Sequence, residues 1–338
     1  LRHARILENC RASTLITVAE AKKVARLLQS HVPGLKHVVT VAELAASTVI
    51  STPPALSTND IAFLQYTSGS TGNPKGVVLT HANLLANIRA MGRTVKATSA
   101  DVFVSWLPLY HDMGLIGAWL GSLYYAMLLV VMPPLGFLAR PERWLWAIHR
   151  YRGTLSASPN FGYEYCLKRI KDDELEGLDL ACWRAAFNGA EAISPDTLQQ
   201  FQSRFADYGF KAHAMMPVYG LAESSVGLAF PPLNRGPLID QIERFTFMRS
   251  GQAKTEPRSG QQALRFVSSG VPLPGHQIRI VDKAGHELPE RQEGRLEFRG
   301  PSATSGYYRD ADNTRKLFHD DWLDSGDLAY IANGVVYI

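Results

Sequence analysis

A long uncharged stretch places the strongest constraint on how this chain folds. No charged residue occurs from Met113 to Ala139, and the run from Leu115 to Met132 is almost wholly apolar. By hydropathy alone such a run predicts a membrane span. Glycines interrupt it, however, and Pro133-Pro134 ends it. A helix over 115–125 followed by a strand over 127–132 explains it better, because a parallel strand covered on both faces is continuously apolar.

Strands and helices alternate around this run. Strands are predicted over 37–41, 102–106, 154–157 and 184–187, and helices over 18–29, 81–95, 140–151, 161–171 and 194–207. Pro141 suits a first helical turn, and Ser194-Pro195-Asp196 suits a helix N-terminus. In the helix over 18–29, Val24, Leu27 and Leu28 form the apolar side. The alternation predicts an α/β fold with mostly parallel sheets and flanking helices.

The composition and pattern of the sequence change after Pro231. Residues 233–262 are polar and Gly-rich, and short β-type runs follow at 264–267, 277–281 and 296–299. Asn333-Gly334 between two apolar runs predicts a hairpin turn. We therefore expect a smaller β-rich subdomain after the α/β part. The expected division is 1–232, 233–262 and 263–338.

Composition narrows the class of protein. The 338 residues are 46% hydrophobic and 20% charged, which suffices for a sizeable core. Net charge is +4, without a Lys/Arg block, so nucleic acid is not the expected partner. Cys10, Cys166 and Cys182 are odd in number and far apart. They predict buried thiols in a reducing compartment, and hence a cytoplasmic location. No transmembrane segment is expected, since the uncharged run is assigned to the core.

The segment from Thr67 to Gly76 reads TSGSTGNPKG and lies between predicted strands over 61–66 and 77–79. Its backbone N–H groups, hydroxyls and single ammonium group are suited to wrapping a polyphosphate. It is not a Walker loop, which requires Gly-Lys-Ser/Thr opening a helix. Here Gly76 follows Lys75 instead.

This loop resembles the ATP-phosphate loop of the acyl-adenylate-forming superfamily, which includes acyl-CoA synthetases, luciferases and nonribosomal-peptide adenylation domains. The resemblance implies ATP and Mg²⁺ as cofactors, and Lys75 as a catalytic residue. It also implies ATP contacts from the loop residues Thr67, Ser68, Gly69, Ser70, Thr71, Gly72 and Lys75.

A second motif, Leu107 to Gly117, reads LPLYHDMGLIG. Taken alone, His111 and Asp112 could equally be an active-site edge or a polar kink. The motif resembles the superfamily's carboxylate-side block, and its Asp-Met-Gly form resembles fatty acyl-AMP ligases. The resemblance places His111 between acyl group and phosphates, as a catalytic and substrate-binding residue. The other expected substrate-binding residues are Met113, Gly114, Pro159, Asn160 and Phe161.

Three later motifs resemble the nucleotide site of the same superfamily. FNGAE implies adenine contacts from Gly189, Ala190 and Glu191. YGLAE, with Gly220, Leu221 and Ala222 lining the site, implies that Tyr219 stacks on adenine and that Glu223 binds Mg²⁺ in a catalytic role. In WLDSGDL, Asp327 matches the carboxylate that accepts both ribose hydroxyls, a role suited to an acceptor-only side chain.

Together these motifs predict ATP-dependent activation of a long-chain fatty acid to acyl-AMP, with transfer to the phosphopantetheine of an acyl carrier protein. Residues 233–262, with Phe245 and Phe247 as an apolar knot, resemble the ligase insertion that disfavours thioester formation with CoA. The alternatives are a long-chain acyl-CoA synthetase, a degenerate nucleotide-binding relative and a membrane-anchored binding module. The superfamily's C-terminal lid domain with its catalytic lysine has no counterpart here, and we expect a fragment of a longer chain.

Overall fold

The computed structural model of this chain describes residues 2–46, 52–67, 74–255 and 263–338. Its α-helices are α1 (Arg2–Asn9), α2 (Lys22–Leu27), α3 (Val41–Ala45), α4 (His81–Thr94), α5 (Gly121–Tyr125), α6 (Pro134–Ala139), α7 (Glu142–Tyr151), α8 (Asn160–Arg169), α9 (Pro195–Phe205), α10 (Arg244–Ser250) and α11 (Ala311–Leu317). A π-helical turn, Met113–Leu120, leads into α5.

The strands are β1 (Thr14–Thr17), β2 (His37–Thr40), β3 (Ile61–Thr67), β4 (Lys75–Thr80), β5 (Val102–Ser105), β6 (Leu128–Val131), β7 (Leu155–Ser158), β8 (Ala185–Asn188), β9 (Met215–Pro217), β10 (Ala229–Phe230), β11 (Ile239–Glu243), β12 (Ala263–Pro272), β13 (Gln277–Val281), β14 (Gly294–Arg299), β15 (Phe318–His319), β16 (Trp322–Ala332) and β17 (Val335–Tyr337).

The chain separates into two compact units. The first contains residues 1–82 and 304–316, and the second contains residues 83–303 and 317–338. In the first unit β1 pairs with β2 in parallel, and β3 pairs with β4 in an antiparallel ribbon. The candidate phosphate loop therefore connects the two strands of that ribbon.

The second unit contains two sheets that confirm the predicted fold class. The strands β6-β5-β7-β8-β9 form a five-stranded parallel sheet with α7 and α8 packed against it. An eight-stranded sheet follows, with β10-β12-β17-β16-β14-β13 as its main path, and its pairs are antiparallel. Asn333-Gly334 joins β16 to β17 as the predicted two-residue hairpin turn.

The uncharged run becomes the π-turn, α5 and β6, as predicted, but its strand is not covered on both faces. Strand β6 lies at the edge of the five-stranded sheet, and in the described structure Leu128 and Val131 are 55% and 52% exposed. Hydrophobicity alone could not distinguish a central strand from an apolar edge strand. No helix in the described ranges has the length and hydropathy needed to cross a membrane.

The prediction for the helix over 18–29 was correct in position but only partly correct in its apolar side. The segment forms α2 with 3₁₀ turns at both ends. In the described structure Val24 and Leu27 are exposed, whereas Ala25 is buried in the small core of this unit and Leu28 packs against that core. A helical pattern identifies an apolar stripe, but it does not show whether another element covers that stripe.

Aromatic side chains fill the core of the second unit. Trp144 is fully buried and forms edge contacts with Tyr163 and Trp183, at 5.4 and 5.3 Å between ring centroids. Its indole N–H donates to Ser156 Oγ at 2.8 Å, and that hydroxyl donates to the Val104 carbonyl at 2.5 Å. The buried indole of Trp144 and the hydroxyl of Ser156 are thereby satisfied, which fixes β7 against α7.

Residues 233–255 contain more regular structure than their polar composition suggests. Strand β11 pairs with β12 through five residues, and α10 follows directly. Phe247 is buried beside Phe266 and Tyr330, whereas Phe245 and Met248 are 70% and 76% exposed. The predicted apolar knot thus consists of one core residue and one surface residue. Residues 256–262 lie outside the described ranges, and the role of the segment as an insertion stays a prediction.

Candidate active site

The base of the candidate phosphate loop is a closely packed ribbon. Thr67 and Lys75 face each other across β3 and β4. On the other side of β4, the Gly76 carbonyl accepts from the Tyr308 N–H at 2.7 Å, and the Val78 N–H donates to the Gly306 carbonyl at 3.0 Å. Residues 306–308 therefore brace this ribbon, a role that the sequence did not reveal.

Lys75 itself is half-buried and lies over an aromatic ring. Its Nζ is 5.0 Å from the centroid of Tyr307, a cation–π geometry. Gly76 is required next to it, because a Cβ there would lie 2.9 Å from the ring of Tyr66. The remaining predicted loop residues, Ser68, Gly69, Ser70, Thr71 and Gly72, lie outside the described residues.

In the second unit, Tyr219 and Asp327 come together from distant parts of the sequence. The phenol of Tyr219 donates to Asp327 Oδ2 at 2.6 Å. Burial, and next the negative charge of Asp327, raise the pKa of Tyr219 well above its ordinary value. The phenol therefore stays protonated as the donor, and one carboxylate oxygen is held at a fixed position beside the tyrosine ring.

A β-bulge aims Asp327. Between two paired positions of β14 and β16, Leu296 alone faces the three residues Ser325 to Asp327. Gly326 takes a φ of +80° there, which favours glycine. The Ser325 hydroxyl donates to the Leu296 carbonyl at 2.8 Å and accepts from the Asp327 N–H at 3.1 Å. Ser325 thus fixes the bulge with its hydroxyl.

Glu191 does not project alone from its loop. Its carboxylate accepts from the Phe161 N–H at 2.6 Å, at the first turn of α8. A carboxylate at that end of a helix is favourable. The Gly-Ala-Glu motif and the Pro159–Phe161 segment are therefore brought together. Gly189 has little room for a side chain, since a Cβ would lie 2.8 Å from the Val218 carbonyl.

Asn188, which the sequence analysis passed over, lies fully buried beside these residues. Its Nδ2 donates to Asn160 Oδ1 at 3.3 Å, and Asn160 Oδ1 also accepts from the Ser194 N–H. In the described structure the Asn188 side-chain oxygen is buried without a hydrogen-bond partner. An asparagine following an apolar strand is the one sequence signal that could have identified it.

The candidate substrate residues surround an aromatic contact. Trp106 stacks on Phe137 with centroids 4.0 Å apart and meets Phe161 edge-on at 5.7 Å. Met113 and Gly114 are buried in the π-helical turn that follows, where a Cβ on Gly114 would lie 2.4 Å from the Pro108 carbonyl. Both predicted apolar segments therefore border the same aromatic cluster.

His111 opens this turn as a half-exposed side chain. Its Nδ1 is 2.8 Å from Asp112 Oδ1, and the hydrogen bond to that carboxylate raises the pKa of His111, with burial opposing it. Asp112 also accepts from the Met113 N–H at 2.7 Å. Asp112 thereby favours the charged imidazolium form of His111.

Glu223 lies in the 3₁₀ turn Ala222–Ser224, just after Tyr219 to Leu221. The described residues include no group of three or more His, Cys, Asp or Glu that could hold a metal ion without help. A Mg²⁺ ion, however, commonly uses one or two carboxylates together with substrate phosphates. A single glutamate therefore suits a metal that arrives with a nucleotide.

Comparison with known proteins agrees with this arrangement. The family profile described as AMP-binding enzyme matches residues 2–308. The chain belongs to this family. Its expected membership of the acyl-adenylate-forming superfamily is thereby confirmed.

Two curated relatives of this AMP-binding enzyme chain are close in sequence. A putative acyl-CoA synthetase of Caulobacter vibrioides is 37% identical over 287 residues, covering 84% of this chain and 50% of the relative. A medium-chain fatty-acid–acyl-carrier-protein ligase of Teredinibacter turnerae is 36% identical over 304 residues, covering 84% of this chain and 47% of the relative. The chain thus spans about half the length of these relatives.

A solved structure supports the fold of the AMP-binding chain. It comes from work on fatty acyl-adenylate ligases from E. coli and L. pneumophila, is 37% identical and has a TM-score of 0.90. The match covers 99% of this chain and 62% of that structure.

A titration tests the His111–Asp112 pair. Because Asp112 raises the pKa of His111, the stabilisation from this pair is present below the ordinary histidine pKa of about 6.5 and is lost as pH rises through the raised value. Replacing Asp112 with asparagine should lower the His111 pKa to or below that ordinary value. NMR of the imidazole ring measures this directly, with exposed His286 as the control resonance. An unchanged His111 titration in Asp112→Asn would contradict the pairing.

Proposed function

We propose that the full-length protein containing this chain activates a fatty carboxylic acid as acyl-AMP and passes the acyl group to a carrier protein. The observation that carries the proposal is Asp327, held on a bulge and fixed beside Tyr219. An acceptor-only carboxylate next to an aromatic ring is suited to a ribose and its purine base. The names of the similar proteins, a carrier-protein ligase and fatty acyl-adenylate ligases, support the substrate class.

In the proposed reaction, a carboxylate oxygen of the fatty acid attacks the α-phosphorus of ATP. A new C–O–P linkage forms while the bond to the β-phosphate oxygen breaks, and pyrophosphate leaves with its electron pair. Such phosphoryl chemistry depends mainly on positioning and on offsetting negative charge. Lys75 supplies a positive charge, and Tyr219 and Asp327 fix the nucleoside.

Magnesium fits the donor set through Glu223 and the nucleotide phosphates. Bound there, the ion would neutralise phosphate charge and polarise the phosphoryl oxygens. Glu223 would hold the ion in this proposal, whereas His111, whose imidazolium form Asp112 favours, attracts the substrate carboxylate. The apolar cluster around Trp106 and Phe161 would receive the acyl chain.

The choice of acyl acceptor is assigned to a surface on α10. Phe245 and Met248 expose two large apolar side chains on α10, within the segment expected to act as the ligase insertion. We assign this surface to contacts that disfavour thioester formation with free CoA. The second candidate function, a fatty-acid–CoA ligase, has support from the name of the Caulobacter vibrioides relative.

Acceptor choice is tested with full-length protein, ATP, Mg²⁺ and a fatty acid, comparing saturating CoA with a holo carrier protein. The proposal predicts that the fatty acyl group is loaded onto the carrier protein as a thioester and that little acyl-CoA forms. Deletion of the segment is unsuitable, because β11 pairs with β12 and Phe247 is in the core. The double change Phe245→Ser with Met248→Ser leaves that core intact and should raise CoA transfer. Rapid acyl-CoA formation by the parent protein would establish the CoA ligase instead.

Adenylation is tested separately by fatty-acid-dependent exchange of pyrophosphate into ATP. The proposal predicts exchange that requires fatty acid and Mg²⁺ and does not require CoA or carrier protein. The catalytically degenerate alternative predicts nucleotide binding without exchange. The two outcomes separate an adenylating enzyme from a nucleotide-binding relative.

Asp327 gives a quantitative prediction for nucleotide binding. A charge-assisted hydrogen bond contributes about 1.5–3 kcal/mol, so Asp327→Ala should weaken ATP binding by about one to two decades. Calorimetry with ATP measures the change, and Tyr219→Phe is the matched control because it removes the same internal hydrogen bond but keeps the carboxylate. If Asp327→Ala binds ATP as the parent does, Asp327 is only a bulge residue.

A further inference from the structure

The residues from Tyr219 to Ala229 form a closed loop, here called the 219–229 loop. The Tyr219 N–H donates to the Ala229 carbonyl at 2.9 Å, and the Leu228 N–H donates to the Tyr219 carbonyl at 2.9 Å. The loop therefore carries both Tyr219 and Glu223 on a segment whose two ends are tied together.

This loop contains a strained turn immediately after Glu223. Ser225 has φ +65° and ψ −64°, and the Val226 N–H donates to the Ser224 carbonyl at 2.8 Å. That geometry is the γ-turn form that is rare and strained. Gly220 is pressed against the same turn, because a Cβ there would lie 1.7 Å from the Val226 carbonyl oxygen. Such a conformation persists only when its surroundings hold it.

Asn87 on α4 holds the far side of the turn. Its Nδ2 donates to the Gly227 carbonyl at 2.8 Å, and its Oδ1 accepts from the Gly227 N–H at 3.0 Å. The fully buried amide thus pairs with one residue of the loop as a neighbouring strand would. Helix α4 is thereby tied to the loop by two hydrogen bonds.

Ser302, fully buried, lies where the polar groups meet. Its hydroxyl accepts from Asn87 Nδ2 at 3.0 Å and lies 3.2 Å from Ser224 Oγ, and its carbonyl accepts from the Ser225 hydroxyl at 3.0 Å. The hydroxyl is also 2.5 Å from His276 Nε2. We name the side chains Asn87, Ser224, Ser225, His276 and Ser302 the serine hub.

The tautomer of His276 determines which groups donate and which accept hydrogen bonds in the serine hub. Its Nδ1 lies 3.2 Å from the Pro274 carbonyl, which can only accept, so Nδ1 carries the proton and Nε2 accepts from the Ser302 hydroxyl. Burial lowers the pKa of His276, which also favours the neutral ring. The single proton of Ser302 then goes to His276 Nε2 at 2.5 Å rather than to the Ser224 carbonyl at 3.2 Å, and the hydroxyl lone pairs remain for Asn87 and the Ser224 hydroxyl.

We propose that the serine hub is a positioning device that fixes the 219–229 loop and thereby the direction of the Glu223 carboxylate. The inference rests on the proposed function, in which Glu223 binds Mg²⁺ with the nucleotide. Buried polar networks cost desolvation, and a packed apolar cluster would stabilise this region at least as well. Unlike an apolar cluster, the hydrogen-bond network fixes a single geometry for the strained turn beside the metal-binding carboxylate.

The test compares two hub variants with a control in full-length protein. Ser302→Ala removes the central hydroxyl. Ser225→Gly removes a hub contact while relieving the positive φ, so this variant folds even where the first does not. Ser156→Ala is the control, because that serine is equally buried and makes two hydrogen bonds in the parallel sheet, away from the loop.

Residues that orient a metal ligand typically change metal affinity by about 10–100-fold, so both hub variants should raise the Mg²⁺ concentration for half-maximal exchange by about 10-fold. Calorimetry should show weaker binding of ATP with Mg²⁺ and parental binding of ATP in EDTA. Ser156→Ala should lower Tm and leave both quantities unchanged. Hub variants that retain the parental Mg²⁺ dependence and affinity would overturn the inference.

Glu223→Gln separates this inference from the function on which it rests. If Glu223→Gln shifts the Mg²⁺ dependence and the hub variants do not, only the positioning role fails. If Glu223→Gln itself leaves the Mg²⁺ dependence unchanged, the metal-binding role in the proposed function fails.

Discussion

Replacing Lys75 with alanine should lower the rate of fatty-acid-dependent pyrophosphate exchange by about 10²–10³-fold, the usual cost of removing one preorganised charge or donor from a transition state. The physical reason is that Lys75 is the fixed cation at the base of the phosphate loop, at the start of a ribbon braced on both sides. Stability should change little, because the cation–π contact with Tyr307 contributes about 0.5–1 kcal/mol at a partly exposed site.

The measurement pairs the exchange rate with a thermal melt of the same sample. Lys168→Ala serves as the control, since Lys168 is an exposed lysine paired with Glu164 on α8. The control should keep both the parental rate and the parental Tm. Equal exchange rates in Lys75→Ala and the parent protein would remove Lys75 from the mechanism.

Glu223→Gln should lower exchange at a fixed Mg²⁺ concentration by about 10²–10³-fold, because a bound metal contributes several kcal/mol of charge stabilisation. Glutamine keeps the size of the side chain and loses its charge, so the change tests metal binding more than packing. A Mg²⁺ titration of the exchange rate measures it. Glu164→Gln on α8 is the matched control and should titrate like the parent. A parental titration in Glu223→Gln would mean that another group holds the metal.

Much of the fold follows from local patterns in the sequence. Strand–helix alternation predicts the parallel sheet because each strand must bury its faces against helices, and Asn333-Gly334 predicts the final hairpin because both residues tolerate positive φ. The exposure of Val24 and Leu128 did not follow. Whether another element covers an apolar side chain depends on tertiary packing, which a local pattern does not contain.

The sequence likewise predicted some features of the candidate site and not others. Motifs singled out Tyr219 and Asp327, but the 2.6 Å hydrogen bond between them depends on a bulge and joins residues that lie 108 positions apart in the sequence. Glu191 was expected to contact nucleotide, and its described partner is the Phe161 N–H. Ser302 and His276 lack a local signature, since a buried serine and histidine become interpretable only when their partners are known.

The proposed reaction is tested most directly by following the carboxylate oxygen atoms of the fatty acid. Full-length protein is supplied with ATP, Mg²⁺, a carrier protein and fatty acid carrying ¹⁸O in both carboxylate positions, and the products are read by mass. Attack of the carboxylate on the α-phosphorus, followed by thiol attack at the carbonyl carbon, predicts AMP that contains one ¹⁸O atom. Labelled inorganic phosphate would contradict the proposed reaction. Unlabelled AMP formed together with acylated carrier protein would contradict it as well.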